Sequence, residues 1–238
     1  MTTEKTIKVS EYFYSIQGEG ITMGVPSVFI RLAGCNLLCE GKDWVCDTIP
    51  VWRKGESKHI ETFVKQIFKQ YHKYFVKGTH LIFTGGEPLL QQDEITEFLT
   101  VYYNKYEYLP FIEIETNGTK ILKDELLKEV DLINCSPKTS NSGMKQDRTI
   151  NSDVLKQINK MHGSIFKFVI SEAEDLIEIQ GLIDLLSLDE SKIVLMSAGD
   201  CREQLYSTAP MVAEICKENN YFYGSRLQVE IWNKTVGV

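Results

Sequence analysis

No apolar run in this chain approaches the roughly 18 residues that a bilayer-spanning helix needs. The first ten residues, Met1 to Ser10, are polar and contain no apolar core of the kind that marks a secretory signal. Both absences predict a cytoplasmic protein with no membrane partner. Positive charge is also in short supply. The 26 Lys and Arg are outnumbered by 33 Asp and Glu, for a net charge of -7. That balance argues against nucleic acid as a partner, because non-specific binding to it runs on basic surface. No repeat, low-complexity tract or long linker interrupts the 238 residues, so a single α/β domain over 1–238 is expected. Evenly spread cysteines are missing too. Of six, Cys35, Cys39 and Cys46 crowd together while Cys135, Cys201 and Cys216 are scattered. A disulfide scaffold has another pattern, and in a reducing compartment such a crowd points to a metal site or to catalysis. The scattered three read as buried small hydrophobes.

What the chain does have is alternation. Strands are predicted at Thr6–Tyr14, Ser27–Leu32, His80–Thr84, Phe111–Thr116, Leu132–Ser136, Phe166–Ile170, Lys192–Met196 and Arg226–Trp232, most of them short and apolar. Helices are predicted at Ile60–Phe75, Gln92–Lys105, Lys123–Glu129, Ser152–Lys160, Ala173–Leu186 and Pro210–Glu218. The first of these carries its apolar residues at helical spacing, Ile60, Phe63, Val64, Ile67, Phe68 and Tyr71. Strands separated by helices predict a mostly parallel sheet with crossover helices. About six or seven such strands are too few for an eight-stranded barrel, so a partial, open β/α barrel is expected. Ligands then bind at the carboxyl ends of the strands.

Those ends carry the chemistry. After the second strand comes Gly34-Cys35, and the loop continues through Cys39 to Cys46-Asp47-Thr48. Three thiolates from one loop can hold three irons of a [4Fe–4S] cluster and leave the fourth iron open, where a fully protein-held cluster takes four cysteines. Structural zinc prefers four ligands, and the nearest histidine is His59. By themselves the cysteines leave cluster, zinc and inert thiols all open. The strand ending at Thr84 runs into Gly85-Gly86-Glu87-Pro88. Adjacent glycines admit close backbone approach to a ligand, and Glu87 can accept from an ammonium group. No Gly-Lys-Ser/Thr follows, which excludes a nucleotide P-loop. Further strand ends read Glu115-Thr116-Asn117-Gly118 and Ser136-Pro137-Lys138.

Cys35-x3-Cys39 with a third cysteine, followed by Gly85-Gly86-Glu87-Pro88, resembles the radical S-adenosylmethionine (SAM) superfamily. The superfamily's usual second gap is two residues; here six separate Cys39 from Cys46. Within it, Tyr12 through Gly20, with its Ser15-Ile16-Gln17-Gly18-Glu19-Gly20 core, resembles the 7-carboxy-7-deazaguanine synthase family, as do Phe29 through Leu37, Cys46-Asp47-Thr48 and the closing Arg226-Leu227-Gln228 to Val238. The resemblance implies a lyase that converts 6-carboxy-5,6,7,8-tetrahydropterin to 7-carboxy-7-deazaguanine with loss of ammonia, on the route to queuosine. It implies a [4Fe–4S] cluster on Cys35, Cys39 and Cys46 that cleaves SAM reductively, and Mg²⁺ near Thr48. It places SAM against Val45, Asp47, Gly86, Glu87, Glu115, Asn117, Ser136, Pro137 and Lys138. Substrate would meet Ile16, Gln17, Gly18, Glu19, Arg31 and Thr84. Chemically, Gln17 could pair with a pterin edge, Glu19 could accept from ring N–H groups, and Arg31 could grip a carboxylate bidentately. A reducing electron-transfer protein such as flavodoxin and a homodimer are further implied, as are an N-terminal substrate-binding strand and a C-terminal strand extension.

The chain departs from that family in places. Met196-Ser197-Ala198-Gly199 stands where many relatives read Met-Pro-Glu-Gly, Gln228 where many have His, and Lys234-Thr235-Val236 where many are basic. Two other readings compete. A glycyl-radical activating enzyme shares the cluster and the glycine turn, but the Gln17-Gly18-Glu19-Gly20 segment argues against it. A passive iron–sulfur or electron-transfer module needs no SAM motifs.

Overall fold

The computed structural model describes residues 5–42, 44–233 and 235. The chain opens with the antiparallel pair β1 (Thr6–Ile16) and β2 (Pro26–Leu32). A short helix α1 (Ile49–Trp52) and an edge strand β3 (Glu56–His59) follow. Next come α2 (Ile60–Phe75), β4 (His80–Gly85), α3 (Gln92–Tyr106), β5 (Ile112–Thr116), α4 (Asp124–Leu127) and β6 (Leu132–Cys135). The remainder is α5 (Gln146–Thr149), α6 (Ser152–Asn159), β7 (Ser164–Ile170), α7 (Asp175–Leu186), β8 (Ile193–Ser197), α8 (Arg202–Asn219), β9 (Phe222–Gly224) and α9 (Leu227–Trp232).

These strands form one sheet in the order β3-β1-β2-β4-β5-β6-β7-β8-β9. Every neighbouring pair from β2 to β9 is parallel, while β1 runs antiparallel to both β2 and β3. The sheet does not close, and β3 and β9 are its ends. This is the partial, open β/α barrel that the alternation predicts.

Alternate residues of a strand face opposite sides, and here the two sides differ in kind. Ile30, Phe83, Ile114, Ile133, Phe166 and Leu195 face the helices and join one continuous apolar core. Each such buried side chain contributes about 1.5–3 kcal/mol. Helix α2 delivers Ile60, Phe63, Val64, Ile67, Tyr71 and Phe75 to it. Phe98 of α3 lies 5.6 Å from the rings of both Phe63 and Phe83, locking two helices to the sheet. On the other side, Arg31, Thr84, Glu115, Asn134, Lys167 and Met196 line a cavity.

Beyond the short elements α1, β3, α5 and β9, which the sequence did not announce, two predicted elements differ from expectation. Arg226–Trp232, whose Leu227, Val229 and Ile231 alternate like a strand, contains helix α9 instead. The strand beside β8 is Phe222–Gly224, so that edge is already taken, and of the three alternating residues only Val229 is buried. The C-terminal strand extension is therefore a strand followed by a helix. The helix expected at Pro210–Glu218 begins eight residues earlier, at Arg202. Pro210 sits inside it on the exposed side, and a proline reads from sequence as a helix start rather than an interior residue. Lys234, Val236 and the closing Gly237-Val238 lie outside the described residues.

Candidate functional site

The carboxyl ends of the parallel strands surround a cavity of about 510 Å³. Cys35, Cys39 and Cys46 all line it. The described residues between Cys39 and Cys46 do not sprawl. A bridge pairs Glu40 with Val45, Gly41 N–H donates to Trp44 O at 2.9 Å, and Cys46 N–H donates to Cys39 O at 3.0 Å. A tight hairpin thus returns Cys46 to a position beside Cys39, and the long gap is absorbed without parting the thiols. Two residues on, Thr48 Oγ1 lies 3.2 Å from Cys46 Sγ.

The glycine turn after β4 holds this loop from the other side. A Cβ on Gly86 would meet Gly34 O at 2.2 Å and the Cys35 Cβ at 2.6 Å. Only a residue without a side chain lets β4 end against the cysteine loop. Glu87 N–H then donates to Gly34 O at 2.9 Å.

Burial pushes the Cys35 thiol up to about 11, and the nearby Glu87, Cys39 and Cys46 add to the rise. Burial also raises Cys39, which Lys138 partly offsets. Such thiols resist ionising unless a cationic centre takes them as ligands. A three-thiolate, three-iron arrangement fits this donor set. Among the described residues no three His, Cys, Asp or Glu close around a single ion, which a cluster does not require, since each thiolate takes its own iron.

Most of the other expected residues also line the cavity. Ile16, Gly18, Arg31, Val45, Asp47, Thr84, Gly86, Glu115, Asn117, Ser136 and Lys138 are all on its wall. Thr84 Oγ1 donates to Glu115 Oε2 at 2.7 Å, and Lys138 Nζ donates to Ser136 Oγ at 2.8 Å. Arg31 gives Nε to Glu11 at 2.8 Å and stands 6.0 Å from the Phe13 ring centre.

Four further expected residues are either set back from the cavity wall or on it with side chains already hydrogen-bonded within the protein. Glu87 is fully buried and off the cavity wall. Its carboxylate accepts from Leu89 N–H at 3.0 Å, Thr116 Oγ1 at 2.8 Å and Asn117 N–H at 2.7 Å. It braces the β4 turn to the end of β5. Pro137 likewise does not reach the cavity, unlike its neighbours Ser136 and Lys138. Gln17 is on the wall, but its side chain is spent. Nε2 donates to Glu113 at 2.8 Å and Glu115 at 3.1 Å, and Oε1 accepts from Gly18 N–H at 2.8 Å and Glu19 N–H at 3.2 Å. It shapes the loop and has no edge left for a ring. Glu19 is held by an ion pair to Lys167, by Arg226 Nε at 3.0 Å and by Gln228 Nε2 at 2.8 Å. Burial alone would raise its pKa, but Lys167 and Arg226 outweigh burial and hold the carboxyl far below its ordinary range.

Sequence reasoning missed several residues here. Lys167 is 4% exposed, in the middle of the apolar strand β7, and faces the cavity. A lysine inside a doubly buried strand is itself the signal, since an unpaired buried charge is costly. Glu113 shares one face of β5 with the expected Glu115 by strand periodicity, and that spacing was legible as well. Asn134 Oδ1, Ser197 Oγ and Gln228 Oε1 are buried on the cavity wall without a hydrogen-bond partner. Native interiors rarely leave such atoms unpaired, and a polar ligand in the cavity would complete them.

Comparison with known proteins agrees with this geometry. The family profile described as a 4Fe–4S single cluster domain matches residues 16–158, more than half of the chain. A 7-carboxy-7-deazaguanine synthase from Halobacterium salinarum is 32% identical over 95% of this chain and 91% of its own. One from Pyrobaculum aerophilum is 30% identical over the full length of both chains. The crystal structure of QueE from Escherichia coli superposes with a TM-score of 0.70 at 22% identity, covering 93% of this chain and 94% of that one.

Proposed function

This chain belongs to the 7-carboxy-7-deazaguanine synthase family, and from that premise we propose how its own residues share the work of a radical SAM enzyme. The reaction is the conversion of 6-carboxy-5,6,7,8-tetrahydropterin to 7-carboxy-7-deazaguanine with loss of ammonia, in queuosine biosynthesis. The observation that carries this reading is that the three cysteines share one cavity with Arg31, Glu19 and Lys167. At about 510 Å³ that cavity has the size of a small-molecule site, which suits a pterin better than the protein partner of a glycyl-radical activase.

Cys35, Cys39 and Cys46 hold the cluster. When bound, cluster and SAM together supply one-electron hydrogen abstraction from carbon. The Gly85-Gly86 backbone, rather than the Glu87 carboxylate, faces the SAM amino acid. Val45, Asp47, Glu115, Asn117, Ser136 and Lys138 complete that side. Arg31 keeps its Nη groups for the substrate carboxylate, because only Nε is engaged by Glu11. Ile16 and Gly18 meet the substrate ring, and Thr84 and Thr48 carry hydroxyls toward it. Thr48 with waters would offer Mg²⁺ hard oxygen ligands, and the ion would supply positive charge to the substrate carboxylate. Glu19 contributes a fixed negative charge. Phe13, Phe29 and Trp52 on the wall exclude water, which protects a reactive radical from side reactions. Flavodoxin or a similar small reductant as electron donor, a cytoplasmic homodimer, and no nucleic-acid partner complete the proposal. No helix among the described residues is long and apolar enough to cross a membrane.

An anaerobic assay tests it. Reconstituted protein is given dithionite, SAM, Mg²⁺ and 6-carboxytetrahydropterin, and products are read by mass. The expected result is 7-carboxy-7-deazaguanine, abolished in Cys39→Ala. SAM cleavage without change in the pterin would overturn the substrate assignment. Intact SAM in cluster-loaded protein would overturn the chemistry as well.

A further inference from the structure

Arg226 touches three parts of the cavity wall at once. Its Nε donates to Glu19 Oε1 at 3.0 Å, on the loop between β1 and β2. One terminal nitrogen donates to Asp47 Oδ2 at 2.7 Å, between Cys46 and Thr48. The other donates to Gly199 O at 2.6 Å, beyond β8. The residues after it extend the same connection. Leu227 N–H donates to Gly18 O at 2.9 Å, and Gln228 Nε2 donates to Glu19 Oε1 at 2.8 Å. The far end of α9 is fastened to α8, where Arg202 donates to Glu230 O at 2.8 Å and Ile231 O at 2.7 Å.

The geometry points to Arg226 as a positioning residue: with α9 it forms a strap that sets the substrate loop at Glu19 in register with the cluster loop at Asp47, and so couples SAM cleavage to substrate turnover. Guanidinium suits this task because its planar fork bonds separate acceptors in fixed directions. Side-chain burial favours it too, with Arg226 16% and Glu19 15% exposed. In a site where a displacement of about 1 Å costs about 100-fold in rate, two loops that each carry part of the reacting assembly need a rigid link. The link comes from a segment remote in sequence, 207 residues from Glu19 and 179 from Asp47.

The inference rests on the function proposed above, and two readouts keep them separable. Arg226→Gln and Arg226→Lys are made in the full chain with its cluster reconstituted. Amide hydrogen exchange is first measured over residues 17–24 and 46–49, without SAM or substrate. The ratio of 5′-deoxyadenosine to deazaguanine product is measured next. In Arg226→Gln, exchange should rise in both segments, and the ratio should rise by about tenfold or more while cluster content holds. Arg226→Lys, which keeps the charge but not the fork, should fall between it and the wild type, and it serves alone if the Gln variant does not fold. Unchanged exchange in either segment overturns the strap. Product and 5′-deoxyadenosine falling in parallel overturns the coupling. A wild-type protein that makes no deazaguanine defeats the substrate assignment, and the exchange measurement then still decides whether the strap exists.

Discussion

Charges at this site are placed where they cost most and are paired accordingly. Lys167 and Glu19 face each other with side chains 6% and 15% exposed, so either one alone would be an uncompensated buried charge. Because Lys167 and Arg226 depress Glu19 against the effect of burial, the folded chain resists protonating it, while the unfolded chain takes up a proton near the ordinary carboxylate value. The linked stability is therefore complete above that value and is lost as pH falls. Denaturant unfolding at a series of pH values, under anaerobic conditions with equal cluster content, should show wild-type stability declining below about pH 5. Glu19→Gln should be less stable at pH 7 but should flatten that decline. An equally steep decline in the variant would remove Glu19 from the account. Glu87 teaches a related lesson: three hydrogen bonds make a motif carboxylate into a brace.

Among the elements, the cysteine hairpin from Cys39 to Cys46 has the most particular support. It rests on the segment Ser140–Gly143, where Cβ atoms on Gly41 and Gly143 would meet Asn141 O at 2.0 Å and Glu40 O at 2.2 Å. That segment is pinned in turn: Ser140 N–H donates to Glu178 at 2.9 Å, and Asn141 Nδ2 donates to Val169 O at 2.8 Å. Gly143 also has φ +74, a conformation that a β-branched residue adopts at a cost of about 1–3 kcal/mol. Gly143→Val should loosen the clasp while leaving the sheet intact. A penalty of that size raises the open fraction roughly 5- to 150-fold. Chelator-driven iron release from the anaerobic protein should accelerate correspondingly, with an unchanged far-ultraviolet spectrum. Release at the wild-type rate would mean that the hairpin holds without its neighbour.

At the scale of the whole molecule, one sheet does two jobs on two faces. The helix-covered face supplies stability, and the opposite face supplies the site. The first job can be tested apart from the second. Phe98 is fully buried, stacked on Tyr102, edge-on to Phe83 and tilted against Phe63. Phe98→Ala should cost about 3–5 kcal/mol, which lowers the melting temperature by about 6–20 °C in a chain of this size. Per folded molecule, turnover should stay within a few-fold of wild type, since no atom of Phe98 reaches the cavity. A specific loss of turnover at full stability would contradict the division between the faces.

Local patterns were enough to read most of the architecture. Short apolar runs mark β4 to β8, and apolar residues at helical spacing mark helices such as α2, because core burial acts on each element separately. The cysteine loop and the glycine turn were legible for a similar reason: each is a run of neighbours whose residue types are dictated by one local task. What local pattern could not supply is which polar atoms are already spoken for. Gln17 and Glu87 carry the right groups for a ligand, but Glu113 and Thr116, about a hundred and about thirty residues away in sequence, claim them first. Arg226–Trp232 alternates like a strand, yet the edge it would need belongs to β9. Lys167 and Arg226 become part of the site only when folding brings Glu19 to both. The amino-acid sequence by itself determined the open barrel, through the alternation of short apolar strands with helices, and the family, through the resemblance of its motifs, because each of these is carried by runs of neighbouring residues. The tertiary structure alone decided which charged and amide groups face the cavity and which hold it together, because hydrogen-bond partners are assigned by proximity in space.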